Sequence, residues 1–135
     1  MRVLICGGRN YADREAIWSE LDKLLAEHQK LTVIQGKATG ADHLAREWTH
    51  LHPEVKLVDE PARWNDLSHP DAVIRTRADG TRYDAKAGPR RNAKMLREYK
   101  PEIVLAFPGQ AGTQDMISKA KRAGVKVVKA GKWVQ

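Results

Sequence analysis

The sequence predicts an α/β fold: one domain over residues 1–135, a three-layer sandwich with helices on both faces of a mainly parallel five-stranded sheet. Three observations carry this. Short apolar runs closed by glycine alternate with segments whose apolar residues recur at helical spacing. Strands that alternate with helices pair in parallel, through right-handed crossovers. One stretch, residues 61–87, breaks the rhythm and reads as an insertion, because connections that long are uncommon inside a compact domain.

Residues 3–6, Val-Leu-Ile-Cys, form an apolar run ended by Gly7 and Gly8, as expected of a central strand buried on both faces. Ile17, Leu21, Leu24 and Leu25 mark a helix over residues 13–28, with Asp13 as its cap. Residues 31–35 are a second strand ending in Gly36, and Gly40-Ala41-Asp42 opens a helix that buries Leu44, Ala45 and Trp48. Residues 55–58 are a third strand, 89–99 a basic helix begun by Pro89, 103–107 a fourth strand, 113–123 a helix stopped by Gly124, and 125–128 the fifth strand. Within the insertion, residues 73–77 and 81–83 flank Asp79-Gly80, the pair suited to a type I′ turn, so a β-hairpin is expected near residues 73–86.

Composition narrows the function classes. With 41% hydrophobic and 30% charged residues the chain reads as globular, and no apolar run approaches the roughly 20 residues that span a bilayer. Residues 1–6 run straight into a strand, without the apolar core and cleavage site of a signal peptide, so a cytoplasmic location and no membrane partner are expected. Cys6, the single cysteine, has no disulfide partner and reads as a small buried apolar residue. His28, His43, His50, His52 and His69 show no ligand spacing, so no metal is expected. The formal charge is +7, and residues 63–100 hold ten Lys/Arg against five Asp/Glu, which favours anionic ligands.

Loops after parallel strands gather along one sheet edge, where ligands bind. Gly7 and Gly8 let a ligand approach the backbone, and Arg9 can reach a phosphate; the competing reading is a tight turn. Gly36 to Asp42 join a strand to a helix whose N-terminus favours an anion, with Asp42 suited either to ribose hydroxyls or to helix capping. Pro108, Gly109, Gly112 and Thr113 form the strongest single signal, because free amides of a first helical turn and the Thr113 hydroxyl offer several donors to one phosphate. Gly88-Pro89-Arg90-Arg91-Asn92 places two arginines at a helix start, read as phosphate ligands or as a solvated basic face. Trp64 can stack on a base, whereas Trp18 and Trp48 read as core. The absence of Gly-Lys-Ser/Thr and of Gly-x-Gly-x-x-Gly argues against triphosphate hydrolysis and dinucleotide-dependent redox chemistry, so no cofactor is expected.

Four motifs in order resemble the SLOG superfamily: Gly7-Gly8-Arg9; Gly36 to Asp42 as G-x-x-x-G-A-D; Ala87-Gly88-Pro89-Arg90-Arg91-Asn92 followed by Met95; and Pro108-Gly109-x-x-Gly112-Thr113-x-Asp115-Met116. More narrowly the chain is similar to its YspA-related branch, found in bacteria and phages. The resemblance implies a Rossmann-like fold that binds nucleotides or nucleotide-derived ligands. Relatives include the Lonely Guy phosphoribohydrolases, which cleave N-glycosidic bonds of nucleoside monophosphates, and DNA-processing protein A, which binds single-stranded DNA. In the hydrolases a P-G-G-x-G-T-x-x-E motif holds phosphate and supplies a glutamate, assisted by an arginine of M-x-x-R-K. Here Gln110 replaces the second glycine, Met116 stands at the glutamate, Arg91 matches the arginine and Asn92 replaces the lysine.

The leading expectation is therefore a nucleotide-binding or sensor domain. The first alternative is a nucleotide N-glycosidase using Asp115 or Asp42 with Arg91, since glycosidic cleavage needs a carboxylate and Met116 has none. The second is single-stranded nucleic-acid binding through residues 63–100. The resemblance also allows a homo-oligomer.

Overall fold

The structure, a computed structural model, describes residues 1–133. Five parallel strands make the sheet: β1 (Arg2–Cys6), β2 (Thr32–Gln35), β3 (Lys56–Asp59), β6 (Ile103–Ala106) and β7 (Lys126–Lys129), in the spatial order β3-β2-β1-β6-β7. A separate antiparallel pair, β4 (Ile74–Thr76) and β5 (Arg82–Asp84), lies in the insertion. The helices are α1 (Arg14–His28), α2 (Ala41–His50), α3 (Ala87–Tyr99) and α4 (Ala111–Arg122).

The central strands are apolar on both sides, and their alternation divides the core in two. Val3, Ile5, Val33 and Leu105 pack with Ile17 and Leu21 of α1 and with Leu44, Ala45 and Trp48 of α2. Leu4, Cys6, Ile34 and Val104 face the other way, onto Met95 of α3 and Met116, Ile117 and Ala120 of α4. This is the expected three-layer, Rossmann-like sandwich. Asp13 caps α1 by accepting from the Ala16 amide at 3.1 Å.

Two helices begin earlier than the sequence indicates. Ala87, not Pro89, opens α3, and Arg90 N–H donates to Lys86 O at 3.0 Å. Pro89 is still inside the first turn, where its missing N–H costs nothing. Ala111, not Thr113, opens α4, and Gln114 N–H donates to Gln110 O at 2.9 Å.

The hairpin forms, but its turn is not type I′. That type needs positive φ at both central residues, and here only Gly80 has it, at +88°. Gly80 N–H donates to Arg77 O, and Asp79 accepts from both the amide and the hydroxyl of Thr81. The Asp79 carboxylate thus organises a three-residue loop in which only the last position is left-handed.

Asp84 fastens the hairpin to α3. Fully buried, it accepts from the amides of Val73 (3.0 Å) and Lys86 (2.9 Å) and from Arg90 Nη1 (2.9 Å). Burial alone would push its carboxyl up; the Arg90 and amide hydrogen bonds outweigh it and hold Asp84 below the ordinary carboxylate range.

Candidate functional site

Strand order reverses between β1 and β6, so the chain leaves these neighbours toward opposite faces and a crevice opens beyond their carboxyl ends. A cleft of about 910 Å³ occupies it, within the size range of small-molecule sites. Its floor is backbone: Gly7 and Gly8 after β1, and Pro108, Gly109 and Gly112 around the start of α4. Gly8 N–H donates to Pro108 O at 2.9 Å, tying the two loops together.

Among the described residues no side chain caps the N-terminus of α4. Its first turn, with the buried Thr113, borders the cleft. The unsatisfied amides of such a turn, with the helix dipole, attract an anion. Asn92 braces that turn: its Nδ2 donates to Gly112 O at 3.3 Å and to Asp115 Oδ2 at 3.0 Å, and its Oδ1 accepts from Arg91 Nε at 3.1 Å. In this phase Asp115 borders the cleft, while Met116 is fully buried in the core under the sheet. Lys119 forms an ion pair with Asp115.

Arg91 stands opposite, reaching across to loops far away in sequence. Its Nη1 donates to Gly36 O at 2.8 Å and to Glu60 O at 3.3 Å. A Cβ on residue 36 would lie 2.1 Å from Arg91 Nη1, so only glycine lets the guanidinium settle on this carbonyl. Burial lowers the Arg91 pKa, and the nearby Asp42 opposes the shift.

Asp42 is buried, and its Oδ2 accepts from the amides of Gly36 (3.1 Å) and Ala38 (3.3 Å). Burial pushes its carboxyl up to about 6, against the opposing pull of Arg91, the Ala38 and Gly36 amides and Arg9. The folded chain therefore holds this proton more tightly than the unfolded one. The associated stability is complete below about pH 4 and is lost as pH rises through about 6. Asp42→Asn removes the titration but keeps an acceptor for both amides. Relative to the parent, its unfolding free energy is expected to rise by about 2 kcal/mol between about pH 4.5 and about pH 7.5, read by urea titration.

Trp64 forms one wall. Its ring lies against Gly88, where an added Cβ would come within 2.7 Å, with the Arg9 guanidinium 5.2 Å from the ring centroid and Tyr83 edge-on at 6.2 Å. Of the residues singled out from the sequence, Gly7, Gly8, Arg9, Gly36, Asp42, Trp64, Arg91, Asn92, Pro108, Gly109, Gly112, Thr113 and Asp115 border the cleft. Two do not. Gly40 lies behind the floor, packed on Gly8 and Arg9 backbone, and Arg90 turns away to Asp84. Tyr11 and Trp133 also border the cleft, and the buried Tyr11 hydroxyl has no hydrogen-bond partner among the described residues. Neither lies within a glycine motif, and nothing in the sequence alone sets them apart from core aromatics.

Part of the charge of the basic stretch is met within the fold. Arg90 pairs with Asp84, Lys94 with Glu60, and Arg77 lies 4.6 Å over the Tyr83 ring. Among the described residues no group of three His, Cys, Asp or Glu is placed to hold a metal, and no helix is long and apolar enough to cross a membrane.

Comparison with known proteins places this cleft in a family context. The model of the YspA, cpYpsA-related SLOG family matches residues 1–66, which carry the Gly7-Gly8 and Gly36–Asp42 loops and Trp64. The chain is also similar to the Gene 61 protein of Mycobacterium phage D29, at 31% identity over 141 residues, covering 96% of each chain. Membership of this family is consistent with binding or processing nucleotide-related ligands. With its α/β fold, its glycine loops at the strand-order reversal and these two matches, the chain belongs to the YspA, cpYpsA-related SLOG family.

Proposed function

We propose that the protein binds a nucleotide or nucleotide-derived ligand in the cleft. Its phosphate lies against the first turn of α4, the sugar toward Asp42 and the base along Trp64. The observation that carries this reading is the uncapped α4 N-terminus, which meets a glycine floor at the strand-order reversal with Arg91 in the facing wall. The dipole there contributes roughly 0.3–1 kcal/mol, and amide and guanidinium donors add directional bonds. Asp42 Oδ2 is occupied by two amides, and its other oxygen makes no hydrogen bond among the described residues, which suits a ribose hydroxyl. Calorimetric titration with nucleoside mono-, di- and triphosphates is expected to yield a 1:1 ligand whose affinity falls at least about tenfold in Arg91→Gln. A panel in which nothing binds, or in which Arg91→Gln binds as the parent does, overturns the reading.

One observation favours a second reading, nucleotide N-glycosidase: both Asp42 and Asp115 border the cleft, and burial pushes the Asp42 carboxyl up to about 6. Release of free base, abolished by Asp42→Asn or Asp115→Asn, is the expected sign of turnover. Stoichiometric binding without base release removes that reading and leaves the first.

A further inference from the structure

A second concavity of about 310 Å³ adjoins the cleft, bounded by the segment after β3 and by α3, and Arg91 borders both. Arg90, Lys94 and Arg97 are spaced to share one face of α3, and with Arg63 and Arg91 they bring five permanent cations to this groove. Two carboxylates also line it, and both have other partners. Glu60 accepts from Lys94 at 3.1 Å and from the Tyr99 hydroxyl at 2.6 Å. Asp66 accepts from the Ser68 amide and hydroxyl. Among the described residues the ion pairs around the groove are Arg90–Asp84, Lys94–Glu60, Lys94–Glu98 and Arg97–Glu98, none of which involves Arg63. Arg90 carries a further mark. Its Nη1 is bonded to Asp84, while its Nη2 is buried with no hydrogen-bond partner among the described residues. A charged donor left in that condition is costly, and such groups recur where an ion binds.

The geometry points to a second anion subsite in this groove, one that takes a phosphoryl group. A phosphate presents three oxygens and up to two charges, matching several guanidinium forks at once, whereas a carboxylate presents two oxygens and one charge. The phosphoryl group comes from one of two sources. It is a second phosphate of the molecule in the cleft, a branch that rests on the nucleotide reading above, or it belongs to a separate phosphorylated molecule.

The test follows the arginine Nε–Hε signals and the backbone amides of Gly112 and Thr113 by NMR in the full chain, under titration with inorganic pyrophosphate. Saturable shifts at Arg63, Arg90 and Arg97 are expected, which sodium chloride at matched ionic strength does not reproduce. Arg63→Ala/Arg97→Ala, at two exposed positions, is expected to weaken the response read at Arg90 at least about tenfold, leaving Gly112 and Thr113 as they were. Equal shifts with chloride, or an unaltered Arg90 response in the double variant, overturn the subsite. Silence at Gly112 and Thr113 with every nucleotide, beside a saturable groove response, overturns the nucleotide reading and leaves the subsite standing. A dinucleotide carrying two phosphates separates the sources: one transition moving both sets of signals assigns the groove to the cleft's ligand, and two transitions assign it to a second molecule.

Discussion

Gly109→Ala is expected to weaken the proposed nucleotide binding severely. A Cβ at residue 109 would lie 2.1 Å from Thr113 Oγ1 and 2.7 Å from Gly8 N, so the methyl group must displace either the first turn of α4 or the end of β1. Neither yields cheaply, because Thr113 is buried and Gly8 N–H is already bonded to Pro108 O. Separating these two elements distorts the position proposed for the phosphate. A loss of affinity of about 100-fold or more is expected, equivalent to about 2.7 kcal/mol, with a stability cost of about 1–3 kcal/mol from overpacking. Gly112→Ala supplies the control for folding. Nothing lies within 4 Å of a Cβ built there, so the variant should be as stable as the parent or up to about 1 kcal/mol more stable, since alanine favours helix over glycine. If a phosphate approaches that backbone as closely as proposed, affinity nevertheless falls. Calorimetric titration beside thermal unfolding reads both quantities, and a Gly109→Ala protein that binds normally would remove the α4 N-terminus from the site.

The largest stability loss is expected from Gly40→Ala, which does not touch the cleft. Gly40 has φ +74°, ψ −125°, a conformation left almost entirely to glycine, and a Cβ there would lie 2.1 Å from Gly8 O and 2.6 Å from the Arg9 carbonyl carbon. Both obstacles are backbone, so no side chain can rotate out of the way. The same Gly8 carbonyl accepts from the amides of Ala41 and Tyr11, each at 3.2 Å, so pushing it aside breaks the contacts that seat α2 beside the β1 loop. A destabilisation of at least about 3 kcal/mol is expected, which lowers Tm by about 10 °C in a domain of this size. Scanning calorimetry or urea unfolding checks it; a variant within about 1 kcal/mol of the parent would mean that the Gly8 loop is free to move.

These two glycines show where sequence reading succeeds and where it stops. Both were visible as loop residues, and one pattern, a strand followed by glycine and a helix start, found them both. Yet Gly109 serves the cleft floor and Gly40 serves the packing behind it. The difference arises from what each backbone meets across the fold: Thr113 and Gly8 in one case, Gly8 and Arg9 in the other. Adjacent arginines divide in the same way. Arg91 reaches Gly36, 55 residues away, and joins the cleft, while Arg90 turns to Asp84. Asp115 and Met116 were assigned opposite prospects by resemblance to hydrolases. The phase of α4, which buries Met116, Ile117 and Ala120 and is braced by Asn92 from another helix, turns Asp115 to the cleft and Met116 to the core.

The sequence by itself determined the layered α/β architecture, the glycine-closed strand ends, the Asp13 cap and the hairpin near Gly80. Each rests on local chemistry: apolar periodicity, a side chain three residues from the amide it accepts from, or a glycine with positive φ. Strand order, the Arg91 contact with Gly36, the closure of Trp64 on Gly88 and the sharing of Arg91 between the cleft and the adjoining groove were decided by the tertiary structure alone. These features depend on which distant segments become neighbours when apolar faces are buried together, and no spacing along the chain encodes that choice.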